Sequence, residues 1–139
     1  MDRERYKAVS QIVNKIVDRL GEPVDRGIKK GVAACLYAGF ITDGSCQGHM
    51  SWGLPFPWID VLGNDDAKTR MNTYINEFYS DRLTTLHLRL NTTDYGISGD
   101  FRLQHYNGIT NSGIKDKETL LYLRNEMRDF AGFLIKKTG

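Results

Sequence analysis

The sequence has few of the features that mark secreted, membrane or nucleic-acid-binding proteins. Its only two cysteines, Cys35 and Cys46, lie in such different surroundings that they do not make a disulfide framework, so we expect a reducing compartment. No apolar run approaches the roughly 20 residues of a membrane span, and the charged N-terminus lacks the apolar core of a signal peptide. The 19 basic and 17 acidic side chains leave a formal charge of +2, which gives little support to a nucleic-acid partner. These absences predict a cytoplasmic protein that does not associate with a membrane.

What the sequence does contain is typical of one globular domain. Of its 139 residues, 40% are hydrophobic and 26% are charged, which suits a protein with one core and is too apolar for a disordered chain. The length is close to the commonest domain size, and we find no internal repeat. We therefore predict a single domain over residues 1–139.

The spacing of the apolar residues predicts both helices and strands. Apolar residues recur at helical spacing before Gly21 and again before Gly39, which indicates a hairpin of two helices joined by a short link. Leu86, Leu88 and Leu90 alternate with polar residues, as in a half-buried strand. The order α-α-β-α-β-β-α predicts the α+β class, with a small, largely antiparallel sheet and helices packed on one face. The predicted elements are a helical hairpin (4–40), a site-like loop (41–58), a strand (57–62), a helix (65–82), a β-hairpin (84–107) and a C-terminal helix (116–137).

The loop is the most site-like feature of the sequence. It is long for a compact domain, and glycines and prolines interrupt any periodicity. We expect the loop and the polar face of the hairpin to form a pocket together, for a small anionic or nucleotide-like ligand. The expected ligand-binding residues are Thr42, Ser45, Gln47, Gly48, Trp52, Trp58, His87, Arg89 and Arg102. The alternatives are a structural loop packed by its own tryptophans and an ordinary solvated sheet face.

Cys46 and His49 are the candidate catalytic residues within the loop. A cysteine attacks as its thiolate, and a histidine this close along the chain can assist if the loop makes one turn. The same pair could also bind a metal, with further ligands from His87, His105, Asp43 or Asp60. A structural zinc site usually shows two ligand pairs at short spacing, whereas this sequence shows one, so we predict no metal site. A cysteine that only packs inside the loop is the plainer alternative.

The loop contains a motif that can be compared with known families. Residues 39–49 read Gly-Phe-Ile-Thr-Asp-Gly-Ser-Cys-Gln-Gly-His, and residues 53–58 read Gly-Leu-Pro-Phe-Pro-Trp. This combination resembles a pattern in small uncharacterised bacterial and phage-type proteins, a resemblance that implies no function. Part of the motif is also similar to the Thr-x-x-Ser-Cys-x-Gly motif of the wybutosine-tRNA methyltransferase family, which has an arginine where this chain has His49. That similarity implies an S-adenosylmethionine-dependent tRNA-modification site near the loop.

Three functions remain open from the sequence. The first is a binding protein for a small anionic or nucleotide-like ligand, which we favour because no full set of nucleophile, base and orienting group can be assembled. The second is a Cys/His-dependent enzyme that transfers a group on a nucleotide or RNA. The third is a protein–protein adaptor or inhibitor. No cofactor and no oligomeric state follow from these patterns.

Overall fold

Helices and strands alternate along the chain in the computed structural model, which describes residues 1–18, 20–50, 56–64, 66–95, 99–105 and 116–139. Within these ranges the order is α-α-β-β-α-β-β-α, which confirms the predicted α+β class. The helices are α1 (Arg3–Lys15), α2 (Lys29–Tyr37), α3 (Ala67–Ser80) and α4 (Lys117–Thr138). The strands are β1 (Thr42–Cys46), β2 (Trp58–Val61), β3 (Leu90–Asp94) and β4 (Phe101–His105).

Aspartate side chains cap the first and last helices. Asp2 accepts a hydrogen bond of 3.1 Å from the backbone N–H of Arg5, and Asp116 accepts one of 2.7 Å from that of Thr119. A carboxylate in this position satisfies an N–H group that has no partner within the first helical turn. The hydrogen bonds that Asp116 accepts from the backbone and the side chain of Thr119 lower the pKa of Asp116. Local chemistry thus determines where α1 and α4 begin.

The segment between α1 and α2 is irregular, although the sequence predicted two long helices with a short link. Residues 16–18 and 20–28 lie outside both helices, and Arg26–Ile28 forms a 3₁₀ turn. The carboxylate of Asp18 accepts hydrogen bonds from the backbone N–H groups of Leu20 (2.8 Å) and Glu22 (3.0 Å). An aspartate that bonds to its own neighbourhood in this way stabilises a turn in competition with a helix. The irregular segment becomes one wall of the candidate site.

The four described strands form an antiparallel sheet in the order β1-β2-β4-β3. In its centre, Ile59 of β2 lies opposite Leu103 of β4, and Asp60 lies opposite Arg102. Residues that face each other across a ladder point to the same side of the sheet, and side chains alternate along each strand. The sheet therefore has one face with Ile59 and Leu103 and another with Asp60 and Arg102. The predicted antiparallel sheet is confirmed.

The apolar face of the sheet packs against the helices in one core. Ile59, Val61, Phe101 and Leu103 are each no more than 1% exposed and belong to the same buried cluster as the apolar residues of all four helices. Burial of a large apolar side chain contributes about 1.5–3 kcal/mol to folding. This face supplies most of the apolar contact between the sheet and the helices. The opposite face carries the polar residues Asp60 and Arg102.

Part of the predicted loop over residues 41–58 is a strand. Thr42–Cys46 forms β1 and pairs with β2, with an irregular register between Thr42 and Gly44. The sequence of β1 contains aspartate, glycine and serine and shows no apolar alternation, so it has little strand propensity of its own. Its extended conformation comes from the ladder with β2, which sequence reasoning could not foresee.

The first strand of the predicted hairpin over residues 84–107 is shorter than expected. Leu86–Leu88 forms a 3₁₀ turn, and pairing with β4 begins only at Leu90. Leu86 is 57% exposed, so its alternation with Leu88 does not reflect a buried face. His87 and Arg89 therefore do not share a strand face, contrary to the prediction. The end of the predicted hairpin, from residue 106, lies outside the described residues.

His105 is a fully buried polar residue at the end of β4. Its Nδ1 lies 2.9 Å from the carbonyl oxygen of Leu88, and its Nε2 lies 3.2 Å from that of Leu123. Burial lowers the pKa of His105 to about 4, even though the two carbonyl groups favour the charged form. The ring is therefore neutral at pH 7 and joins the segment before β3 to α4.

We expect the free energy of unfolding to fall as the pH falls from about 6.5, the ordinary histidine pKa, towards 4. Between pH 6.5 and 4 the imidazole of His105 is protonated in the unfolded chain but not in the folded protein. Protonation therefore favours the unfolded chain, and the free energy of unfolding falls by up to about 3 kcal/mol. Urea unfolding between pH 4 and 8 measures this loss, and His105→Gln should flatten the profile. An NMR titration of wild-type protein in which the His105 ring becomes charged near pH 6.5 would contradict this expectation.

Candidate functional site

The candidate site begins where β1 ends, at Cys46 and the turn that follows it. Gly48 has a φ angle of +86°, a conformation that L side chains rarely adopt. A Cβ atom at Gly48 would lie 2.7 Å from the backbone carbonyl carbon of Phe56 and 2.8 Å from Cδ1 of Leu120. The backbone N–H of Gly48 also donates a hydrogen bond of 3.4 Å to Sγ of Cys46. Only glycine permits this turn to pack so closely beneath the strand end.

Arg124 of α4 donates two hydrogen bonds to the turn after Cys46. Its Nε donates to the carbonyl oxygen of Gln47 at 2.9 Å, and its Nη2 donates to that of Gly48 at 2.5 Å. A hydrogen bond that involves a charged group contributes about 1.5–3 kcal/mol, more than a neutral one. Sequence reasoning did not identify Arg124, because it lies 77 residues from Gln47 and looks like a charge on the solvent face of a helix.

Asp25, from the irregular segment, contacts the turn from the other side. Its Oδ2 accepts a hydrogen bond of 3.1 Å from the backbone N–H of Gln47 and lies 3.4 Å from Nε2 of His49. The side chain of Gln47 reaches back, and its Oε1 accepts a hydrogen bond of 2.8 Å from the N–H of Gly27. Asp25 was not a candidate from the sequence, since that segment was expected to belong to the helical hairpin. Three polar contacts thus join residues 25–27 to the end of β1 and the turn after it.

Asp25, Cys46 and His49 form a cluster in which a carboxylate oxygen, the thiol sulfur and an imidazole nitrogen all lie within 4.8 Å of one another. Cys46 is 8% exposed, whereas the side chains of His49 and Asp25 are 16% and 31% exposed. Burial raises the pKa of the Cys46 thiol, and Asp25 raises it further, although the N–H of Gly48 and the charge of Arg124 oppose this. A buried thiol with a raised pKa is unlike the exposed thiolate that a cysteine nucleophile requires.

A cleft of about 920 Å³ opens beside Cys46, between the irregular segment, β1 and Trp58. Its apolar lining comes largely from residues of the irregular segment, and the indole of Trp58 adds an aromatic wall. Its charged residues are mainly acidic, with Arg26 and Lys29 set against four carboxylates. The acidic residues are Asp18, Glu22, Asp25 and Asp43. The described part of the hairpin does not line this cleft, so the cleft differs from the predicted pocket between loop and hairpin.

A second, smaller groove lies behind the turn and is basic. It has a volume of about 230 Å³ and runs between α4 and the start of α2. Two of its cations, Arg26 and Lys30, come from the 3₁₀ turn and α2, and two, Arg124 and Arg128, come from α4. Among the described residues no carboxylate lines the groove, and none forms an ion pair with any of the four cations. No local sequence pattern predicts this groove, because its two walls are about one hundred residues apart along the chain.

Arg102 and Trp58 interact with each other near the cleft. Arg102 donates from Nε and Nη2 to the two carboxylate oxygens of buried Asp60, at 2.7 and 3.0 Å. These hydrogen bonds raise the pKa of Arg102, and its guanidinium lies 4.1 Å from the centre of the Trp58 ring. A bidentate pair of this kind occupies the groups with which arginine would bind an anion. Arg102 thus holds the polar face of the sheet together instead of facing an open pocket.

The other predicted ligand-binding residues do not gather at one place. Ser45 lines the cleft, whereas Thr42 lies at the opposite end of β1 from Cys46. Arg89 lies in a separate groove of about 430 Å³ along α3, where its Nε donates to a backbone carbonyl group at 3.0 Å. Trp52 lies outside the described residues, and so does the side chain of His87.

Comparison with known proteins does not assign the chain to a family. No protein-family model matches it, and no match was found among curated proteins or among solved structures. None of the described helices combines the length and apolar character that a membrane crossing needs. The function is therefore inferred from the geometry of the cluster, the cleft and the groove.

We expect Gly48→Ala to destabilise the protein far more than Gly21→Ala. Both glycines have positive φ angles, of +86° and +78°, but a Cβ at Gly21 would meet no atom within 4 Å. Gly21→Ala should therefore cost only the backbone strain of about 1–2 kcal/mol, whereas Gly48→Ala adds overpacking of about 1–3 kcal/mol. Thermal and urea unfolding of the two variants measure the difference. Equal losses would mean that the turn after Cys46 is not packed as described.

Proposed function

We propose that this protein binds a small anionic ligand, through a phosphate or carboxylate group, in the basic groove between α2 and α4. The observation that supports this proposal is the set of four cations without a described carboxylate partner. The proposal keeps the ligand class expected from the sequence and moves its site. The ligand-binding residues become Arg26, Lys30, Arg124 and Arg128 in place of residues on the hairpin.

Electrostatics favours an anion in this groove. Like charges that face each other raise the energy of the empty groove, and a bound anion relieves this repulsion. Arginine also offers a planar set of donors that matches phosphate and carboxylate oxygens. Because three of the four cations are arginines, the groove suits these two groups better than a halide ion. Leu121 and Met127 supply apolar contact beside the charges.

The size of the groove limits what it can enclose. A volume of about 230 Å³ is below the roughly 300–1,000 Å³ of pockets that enclose a whole drug-sized ligand. A nucleotide-like ligand would therefore place its phosphate in the groove and leave its base outside. We propose the anionic group as the recognised part and a nucleotide as one class of molecule that presents it.

The thiol-enzyme alternative has less support than binding. Cys46 is buried and its thiol has a raised pKa, both of which oppose a nucleophilic thiolate. Both cysteines of the chain are free and buried, which fits the reducing cytoplasm that we propose as the location. No contact at the turn favours S-adenosylmethionine chemistry or a protein-adaptor role over anion binding.

The experiment measures binding of inorganic phosphate, pyrophosphate and citrate by calorimetry and by thermal shift, with sodium chloride at matched ionic strength as the blank. We expect at least one of the three anions to bind and to raise the melting temperature, because it binds the folded state only. Lys30→Ala and Arg128→Ala should each weaken binding about tenfold, the typical effect of losing one charged hydrogen bond.

Arg3→Ala is the matched control, since it removes one exposed positive charge from α1 and leaves the groove intact. It should bind the anion as the wild type does. If none of the anions binds at millimolar concentration, or if Arg3→Ala loses as much affinity as Lys30→Ala, the groove is not a specific anion site and the proposal is wrong.

A further inference from the structure

We propose that Asp25, Cys46 and His49 form a binding site for a transition-metal dication of the zinc type, with the cleft beside Cys46 as the approach to its open coordination position. This site is separate from the basic groove and does not depend on the proposed anion binding. The sequence predicted no metal site, since it offered only the Cys46–His49 pair. The structure brings a third ligand type, the carboxylate of Asp25, to that pair from the irregular segment.

The distances suit a tetrahedral ion. Zinc binds sulfur at about 2.3 Å and nitrogen or oxygen at about 2.0–2.2 Å, so the edges of its tetrahedron measure roughly 3.3–3.7 Å. Nε2 of His49 and Oδ2 of Asp25 are 3.4 Å apart, which already matches such an edge. The three ligand atoms lie within 4.8 Å of one another, so a small movement of the Cys46 side chain completes the arrangement.

The ligand set selects the kind of metal. One thiolate, one imidazole and one carboxylate favour zinc, cobalt and related ions, whereas magnesium and calcium prefer oxygen ligands throughout. Two backbone N–H groups help to orient the ligands: that of Gln47 donates to Oδ2 of Asp25, and that of Gly48 donates to Sγ of Cys46. Hydrogen bonds of this kind to ligand atoms are typical of metal centres in proteins.

The charge around the cluster also favours a cation. The cleft places four carboxylates, that of Asp25 among them, against two basic side chains, and this excess attracts a dication, although the charge of Arg124 behind the turn acts against it. Structural zinc sites are usually closed by four protein ligands, whereas catalytic sites use three and keep one position for water or substrate. Three ligands at the wall of a cleft of about 920 Å³ correspond to the second arrangement.

The test is titration of the reduced, metal-free protein with Co²⁺, followed by absorption spectroscopy and by competition with Zn²⁺. A bound thiolate gives a sulfur-to-cobalt charge-transfer band in the near ultraviolet, which an oxygen and nitrogen site does not give. We expect this band in the wild type and in Cys35→Ala, which removes the other cysteine, and not in Cys46→Ser. Asp25→Asn and His49→Ala should each weaken Zn²⁺ binding by at least about 10–100-fold, the range seen when a group that merely orients a ligand is lost.

A second measurement uses only the wild-type protein, so it remains valid if a variant fails to fold. Zn²⁺ should slow the alkylation of Cys46, measured by peptide mapping, more strongly than that of the core residue Cys35, which is protected only through the added stability of the fold. Absence of the charge-transfer band in the wild type would refute the proposal, as would equal Zn²⁺ affinity in wild type and Cys46→Ser. Protection of both cysteines to the same extent would mean general stabilisation and would also refute it. Loss of anion binding in Lys30→Ala has no bearing on these outcomes, so the two proposals fail separately.

Discussion

The hydrogen bonds from Arg124 to the carbonyl groups of Gln47 and Gly48 determine the position of everything else at the candidate site. They join α4 to the turn after β1, and this turn places Cys46 and His49. The guanidinium uses a few of its five donors in this way and still contributes its charge to the basic groove. Together with the ladder to β2 and the hydrogen bonds of Asp25, this contact holds the end of an edge strand that has little strand propensity of its own.

Two adjacent residues, Asp25 and Arg26, connect the acidic cleft with the basic groove. Asp25 contacts the turn after β1 from the cleft side, whereas Arg26 lines both the cleft and the groove. A cation bound at the cluster and an anion bound in the groove would therefore lie on opposite sides of the same turn.

The parts of the fold that followed from the sequence are those in which a residue's environment depends on its near neighbours. The apolar stripe of the last helix predicted α4 almost to its ends, and the structure adds the cap at Asp116. The irregular segment of residues 16–28 was missed because Asp18 turns the chain through its own hydrogen bonds, against an apolar spacing that still reads as helical. The strand β1 was missed because nothing in its own residues predicts a strand. It is extended because it pairs with β2.

The sequence by itself determined the α+β class, the antiparallel sheet, and the closeness of Cys46 and His49 along a glycine-rich segment. Periodicity and residue type are local properties and can be read along the chain. Only the tertiary structure decided that Asp25 joins this pair and that Arg124 supports it. It also decided that Arg102 pairs with the buried carboxylate of Asp60. These contacts join residues that are far apart in the chain. Whether a charged side chain pairs with another group or lines a groove depends on tertiary packing, which a local sequence pattern does not predict.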